Sequence, residues 1–232
     1  MSKKKSSNVA LVRNLIIAAV AIVVALVVGY GLLYTSGVTQ GEFVEGEHYQ
    51  VLPDAPRRRP GAPIVVQEFF SYGCIHCRNF DPLVEEWLPT LPEGVRFERV
   101  PVAFSPDWSL LGQTYYALDA LGILAENHER IFARIHDRRD FFDSAAEVAD
   151  FVDGHGTTAD VFLATVNGPD VRRRMRDADN AQRRVGLTAV PTLVVDGTYV
   201  VTMDVGRKVA LEVVDYLIAQ QLAGTEPDTA PQ

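Results

Sequence analysis

The chain alternates between long apolar runs and amphipathic stretches, and the order of these patterns sets out its elements. A nearly uninterrupted apolar run extends from Leu15 to Tyr34 behind a basic cap at Lys3 to Lys5. Twenty residues rising about 1.5 Å each reach roughly 30 Å, the thickness of a hydrocarbon core, so this run predicts one transmembrane helix. A cleaved signal peptide is the alternative, but its apolar region is shorter, about 7 to 15 residues, and ends in a small-residue site that Tyr34-Thr35-Ser36-Gly37 does not supply. Lysines before the run and acids after it place the N-terminus in the cytoplasm and the bulk of the chain across the membrane.

Beyond the span, His48 to Leu52 predicts a short edge strand, and PDAPRRRPGAP predicts a loop in which Arg57 to Arg59 form a solvated or docking patch. Ile64 to Phe70 predicts a buried strand, Phe80, Leu83, Val84 and Trp87 mark a helix face, and Val95 to Phe104 alternates as a second strand. From Pro106 to Gly186 the period becomes helical, with helices expected over Ser109–Leu121, Ala125–Arg138, Ser144–Asp153, Thr157–Val166 and Val171–Val185. Tyr115, Phe132, Phe141, Phe151 and Phe162 are their expected core residues, and Arg172, Arg173, Arg174 and Arg176 an expected solvated face. Strand pattern then resumes from Thr188 to Val195. Asp196-Gly197 predicts a hairpin turn into Tyr199–Thr202, and a last helix is expected over about Gly206 to Leu222.

All 30 acidic residues follow Tyr34, against 18 of the 22 basic ones, so the exported body carries a formal balance of −12. That argues against nucleic acid as a partner. About 190 residues suffice for one core with an insertion.

Chemistry concentrates where the first core strand meets its helix, at Cys74-Ile75-His76-Cys77, and these are the only two cysteines. As a structural staple the pair would close a loop worth only about 2 kcal/mol. As a zinc site it lacks a second ligand pair, and covalent haem needs a histidine where Arg78 stands. A redox-active dithiol remains. At a helix N-terminus a sulfur faces unpaired N–H groups and the positive end of the dipole, so Cys74 is the expected nucleophile and Cys77 its partner. His76 adds a positive or hydrogen-bonding neighbour for the Cys74 thiolate. Glu68, on the apolar strand, is the candidate proton relay for Cys77, with a water-facing glutamate as the alternative. His128, His136 and His155 lack ligand spacing and carry no assigned chemistry; no metal or cofactor is expected.

EFFSYGCIHC, followed far downstream by Val190-Pro191-Thr192, resembles the DsbA family of thiol-disulfide oxidoreductases, over roughly Gly46 to Leu222. The resemblance implies an α/β, thioredoxin-like fold with an all-helical insertion, preceded here by one N-terminal transmembrane helix. The implied organisation is 1–34 cap and anchor, 35–62 tether and loop, 63–105 first thioredoxin-like part, 106–186 helical insertion, 187–223 second thioredoxin-like part and 224–232 disordered tail. It also implies a cis Pro191 against the active-site sulfurs, a backbone contact from Val190 to substrate, an acid at the place of Glu68, and a basic residue near that acid, where Arg99 stands. Ile75 departs from the proline that many members carry. The implied activity is introduction of disulfides into reduced or unfolded exported proteins, with reoxidation by a DsbB-like membrane quinone reductase. The implied location is a bacterial inner membrane with the catalytic domain in the periplasm, or soluble periplasm after signal cleavage. A disulfide reductase or isomerase of the same fold, and a membrane-tethered chaperone-like binding module, are the alternatives.

Overall fold

The computed structural model describes residues 4–35, 43–53, 55, 58–59 and 61–223. The expected tail at 224–232, most of the tether, and Arg57 lie outside the described residues. Two compact units divide between residues 42 and 43. The first is one helix, α1 (Lys4–Thr35), whose apolar span runs over Leu11–Gly29. The span therefore begins four residues before the Leu15 that the apolar run marks, because Leu11 and Val12 extend the stripe across the single charge of Arg13. Its side chains from Leu11 to Val28 are exposed within the unit.

The second unit is built on a five-stranded sheet in the order β1-β5-β4-β2-β3, comprising β1 (Gln50–Val51), β2 (Ile64–Phe70), β3 (Val95–Pro101), β4 (Thr192–Val195) and β5 (Tyr199–Thr202). β2 and β3 run parallel, and the other pairs are antiparallel. A parallel pair needs a crossover, and α2 (Ile75–Trp87) supplies it. The short edge strand expected within His48–Leu52 is β1. β3 stops at Pro101, short of Phe104, and the next helix starts at Pro106 with Ser105 as its cap.

Side-chain alternation divides the core between the two sheet faces. Ile64 and Val66 of β2, with Leu193, Val195 and Val201, pack against Phe80, Val84 and Trp87 of α2 and the apolar face of α8 (Arg207–Ala223). Phe69, Val100, Val194 and Val200 turn the other way, toward the insertion, and Phe70 at the end of β2 joins them despite its parity. Glu68 shares parity with Ile64 and Val66, so the pleat aims a carboxyl at the active-site helix.

The insertion consists of α3 (Pro106–Ala120), α4 (Leu124–Phe132), α5 (Ala145–Val152), α6 (Ala159–Val166) and α7 (Pro169–Val185). The helix expected over Ala125–Arg138 instead passes into a π-helical turn at Ala133–Asp137. Ser144 caps α5 by accepting from the Glu147 N–H, while the Glu147 carboxylate accepts from the Asp143 N–H, one residue earlier than a capping box requires. Tyr115, Phe132 and Phe162 are core residues. Phe151 is half-buried under the guanidinium of Arg130, 4.4 Å from its ring centre. Phe141 corrects the expectation outright: at 62% exposure it lies on the surface, and its neighbour Phe142 takes the core position. Two arginines also leave their expected solvated faces. Arg58 donates to Asp196 and to the Ala62 carbonyl at 3.0 Å each, pinning the loop to the hairpin turn. Arg174 lies over the Tyr116 ring and pairs with Asp119.

Candidate active site

Cys74 is the N-cap of α2, extended at φ −97° and ψ 117°, and Ile75 opens the helix. Both cysteines are buried and free. In its thiol form Cys74 donates to the carbonyl oxygen of Val190, 3.5 Å away. The Val190–Pro191 peptide is cis, and Pro191 is buried beside a half-buried Val190. Strand β4 begins only at Thr192, so the strand pattern expected from Thr188 is a loop up to Pro191. The sheet thus brings Val190 and Pro191, more than a hundred residues downstream, to the cysteine pair.

The two sulfurs sit in opposed electrostatic settings. The Cys74 thiol is lowered to about 6, first by the hydrogen bond from Cys77 working against burial, then by the backbone N–H groups of Cys77 and His76 and the His76 charge. Burial drives the Cys77 thiol well above its usual value, reinforced by its bond to Cys74 and by the negative charges of Cys74 and Glu68. His76 and Ile75 are exposed at the rim. Trp108 packs against Gly73 so closely that a methyl group there would lie 2.5 Å from the indole Nε1. Gly73→Ala is expected to displace the indole at a cost of about 1–3 kcal/mol. Thermal unfolding with Trp108 fluorescence checks this, and unchanged values for both would contradict the packing.

Beneath Cys77, Glu68 is 1% exposed, which excludes the water-facing reading. Burial raises its carboxyl to about 7, despite the Arg99 guanidinium beside it. The register sets Arg99 directly opposite Glu68. Its Nε donates to Glu68 Oε2 at 3.0 Å, and one Nη donates to Asp81 at 2.9 Å and to the exposed Glu85 at 2.8 Å. Asp81, one turn after Cys77, also accepts from His128 Nε2 at 2.9 Å. Burial raises the Asp81 carboxyl, but that hydrogen bond and the charges of His128, Arg99 and Arg78 outweigh it and hold it below the usual range. Arg78 reaches outward to Glu129 and Asp137 of the insertion.

The sequence by itself assigns no role to Asp81, Tyr72 or Arg78 and no chemistry to His128 or His136. His136 Nε2 donates to the Tyr72 carbonyl at 2.8 Å, while the His155 ring pairs with the exposed Glu126, away from the cysteines. For Asp81 a signal existed, since a residue four after Cys77 shares its helix face. The histidines join through tertiary packing that no local spacing encodes. Among the described residues there is no cluster with metal-ligand geometry.

A pH dependence follows for the reduced protein. The thiol of Cys74 has a folded value near 6 against an ordinary value of 9, so its contribution to stability is fully present above about 9 and is lost as pH falls through 6. In the disulfide form the sulfur does not titrate. The reduced form is therefore expected to gain stability relative to the oxidised form between pH 6 and 9; denaturant unfolding of both forms measures it, and parallel curves would contradict it.

A five-stranded sheet with a buried dithiol at a helix start and a cis-proline loop against its sulfur defines a thiol-disulfide oxidoreductase of the thioredoxin fold. The profile of the DSBA-like thioredoxin domain matches residues 65–212, and the chain belongs to the DsbA family. It is 36% identical to the thiol:disulfide interchange protein DsbA of Azotobacter vinelandii over 181 residues, 76% of this chain and 83% of that protein. It is 32% identical to that of Pseudomonas aeruginosa over 219 residues, 92% and 99% of the two chains. The crystal structure of Pseudomonas aeruginosa DsbA superposes with a TM-score of 0.75 at 32% identity, covering 80% of this chain and 97% of that one. DsbA from Xylella fastidiosa gives 0.73 at 34% identity, covering 78% and 98%.

Proposed function

We propose that the chain works as an oxidant, donating its Cys74–Cys77 disulfide to reduced or unfolded exported proteins. The observation that carries this is the low Cys74 thiol: a stabilised thiolate is a good leaving group, and its stability favours the reduced enzyme. A substrate thiolate attacks the Cys74 sulfur, the Cys74–Cys77 bond breaks, and Cys77 leaves as a thiolate. Buried Cys77 favours the protonated thiol, and Glu68, which holds a proton near neutrality, supplies it. A second substrate thiolate then attacks the substrate sulfur of the mixed disulfide and expels the Cys74 thiolate. The substrate loses two electrons, and the cysteine pair gains them.

His76 assists by favouring the Cys74 anion. Val190 offers its backbone to an extended substrate segment, and the buried cis Pro191, lacking an N–H, holds that loop against the sulfur. Family membership supports a DsbB-like membrane quinone reductase as the acceptor that restores the disulfide. The apolar helix Leu11–Gly29 supports a single-pass inner-membrane protein with its catalytic unit in the periplasm. The test is oxidative refolding: the oxidised protein is expected to introduce disulfides stoichiometrically into a reduced, unfolded client. Faster reduction of a disulfide-bonded client than oxidation of a reduced one would reverse the proposed direction.

A further inference from the structure

We propose that His128, from the helical insertion, is a positioning residue for the thiol chemistry: by holding Tyr72 and Asp81 on either flank of the cysteine pair, it sets how readily Glu68 keeps the proton exchanged with Cys77. This rests on the reading of Glu68 as the proton partner of Cys77.

His128 is buried on α4 and reaches two residues of the active-site segment at once. Its Nδ1 lies 2.7 Å from the Tyr72 hydroxyl, two residues before Cys74, and its Nε2 lies 2.9 Å from Asp81 Oδ1, four residues after Cys77. The chemistry at the carboxylate end assigns one hydrogen. Asp81 is held as the anion and can only accept, so Nε2–H donates to it. Burial keeps Tyr72 a neutral phenol, and its hydroxyl is hydrogen-bonded to Nδ1. The result is a continuous hydrogen-bonded chain from Tyr72 through His128 to Asp81.

Asp81 Oδ1 accepts from the same Arg99 guanidinium that serves Glu68. The two carboxyls therefore compete for one cation, and an anionic Asp81 also repels charge on Glu68. Among the described residues, the charged or titratable groups acting on or with Glu68 enter this balance: Arg99 from β3, Cys77, Asp81 and Glu85 from α2, and Tyr115 from α3. Around His128 stand the rings of Phe70, Tyr115 and Phe132, with centres at 6.0, 6.3 and 5.2 Å. Without the Nε2–H donor, Asp81 takes up a proton more readily, the Arg99 guanidinium is left to Glu68 and the exposed Glu85, and Glu68 becomes a stronger acid. The separate bond from His136 to the Tyr72 carbonyl keeps the segment anchored when His128 is changed.

The test uses the full chain in its reduced form and two readouts: the Glu68 carboxyl band in infrared spectra, assigned by its loss in Glu68→Gln, and the pH profile of the rate at which the reduced pair exchanges with a disulfide-bonded client. In His128→Leu both midpoints are expected to fall by roughly half a unit to one unit. Asp81→Asn is expected to give the same shift, and the double variant no further one. His128→Gln, whose amide can still donate to Asp81, is expected to restore most of the midpoint; His128→Asn carries the test if the leucine variant does not fold. An unmoved carboxyl midpoint in His128→Leu beside a shifted one in Asp81→Asn overturns the proposal, as does equal loss of thermal stability in the leucine and glutamine variants with no shift in either. If Glu68→Gln leaves the rate profile unchanged, the proton-partner reading falls and the proposal with it. That outcome is distinct from a profile flattened by Glu68→Gln but unmoved by His128→Leu, which overturns the proposal alone.

Discussion

Cys74→Ser is expected to abolish disulfide exchange, lowering the rate by at least about 10³-fold, because serine near neutral pH supplies neither the sulfur under attack nor an anionic leaving group. The fold should survive, since the replacement is smaller and the helix keeps an oxygen able to cap its first N–H groups. Cys77→Ser is expected to behave differently. It leaves a lone low-pKa Cys74 that forms mixed disulfides with added client disulfides and cannot resolve them from within. Non-reducing electrophoresis distinguishes the variants: no adduct for Cys74→Ser, a persistent adduct for Cys77→Ser. A binding module with idle cysteines would keep its client interaction in both and accumulate no adduct.

The second large effect is structural. Arg99→Leu is expected to cost about 3–5 kcal/mol, because it removes the cation that pairs with Glu68, Asp81 and Glu85 together and leaves buried carboxyls uncompensated. Its pH dependence has a definite sign. The folded value of Glu68, about 7, lies above its ordinary 4.5, so its contribution to stability is complete below about 4.5 and lost as pH rises through 7. Without Arg99 the carboxyl rises further. The penalty of Arg99→Leu is therefore expected to be smallest in acid and to grow past neutrality, with Arg99→Lys recovering part of it. Urea titrations at pH 5 and 8 measure this, and a penalty independent of pH would place the charge balance elsewhere.

Much of this site was legible in the chain because it follows local rules. The apolar run into Cys74-Ile75-His76-Cys77 gives strand, turn and helix start. The parity of Glu68 with Ile64 and Val66 aims it at the α2 face. Pairing the first residues of the two expected strands, Ile64 with Val95, would even have set Arg99 opposite Glu68. The cis Pro191 came only through family resemblance, since an X-Pro bond by itself favours trans. His128 and Tyr72 were illegible for a different reason: their partners lie across the junction of insertion and sheet, and helical period reports only that such a residue faces inward. The same limit misplaced Phe141, where two adjacent phenylalanines offered one core position and the turn before α5 gave it to Phe142. Arg58 and Arg174 stand in charge runs, which carry no record of the acid each one finds.

The account depends on a Cys74 sulfur more stable as a thiolate than as a thiol, which makes the reduced pair the favoured state. The redox equilibrium of Cys74–Cys77 against glutathione tests this most directly. The predicted result is a potential well above that of thioredoxin, about −270 mV, with the pair largely reduced in buffers that leave structural disulfides intact. A potential at or below that value would contradict it.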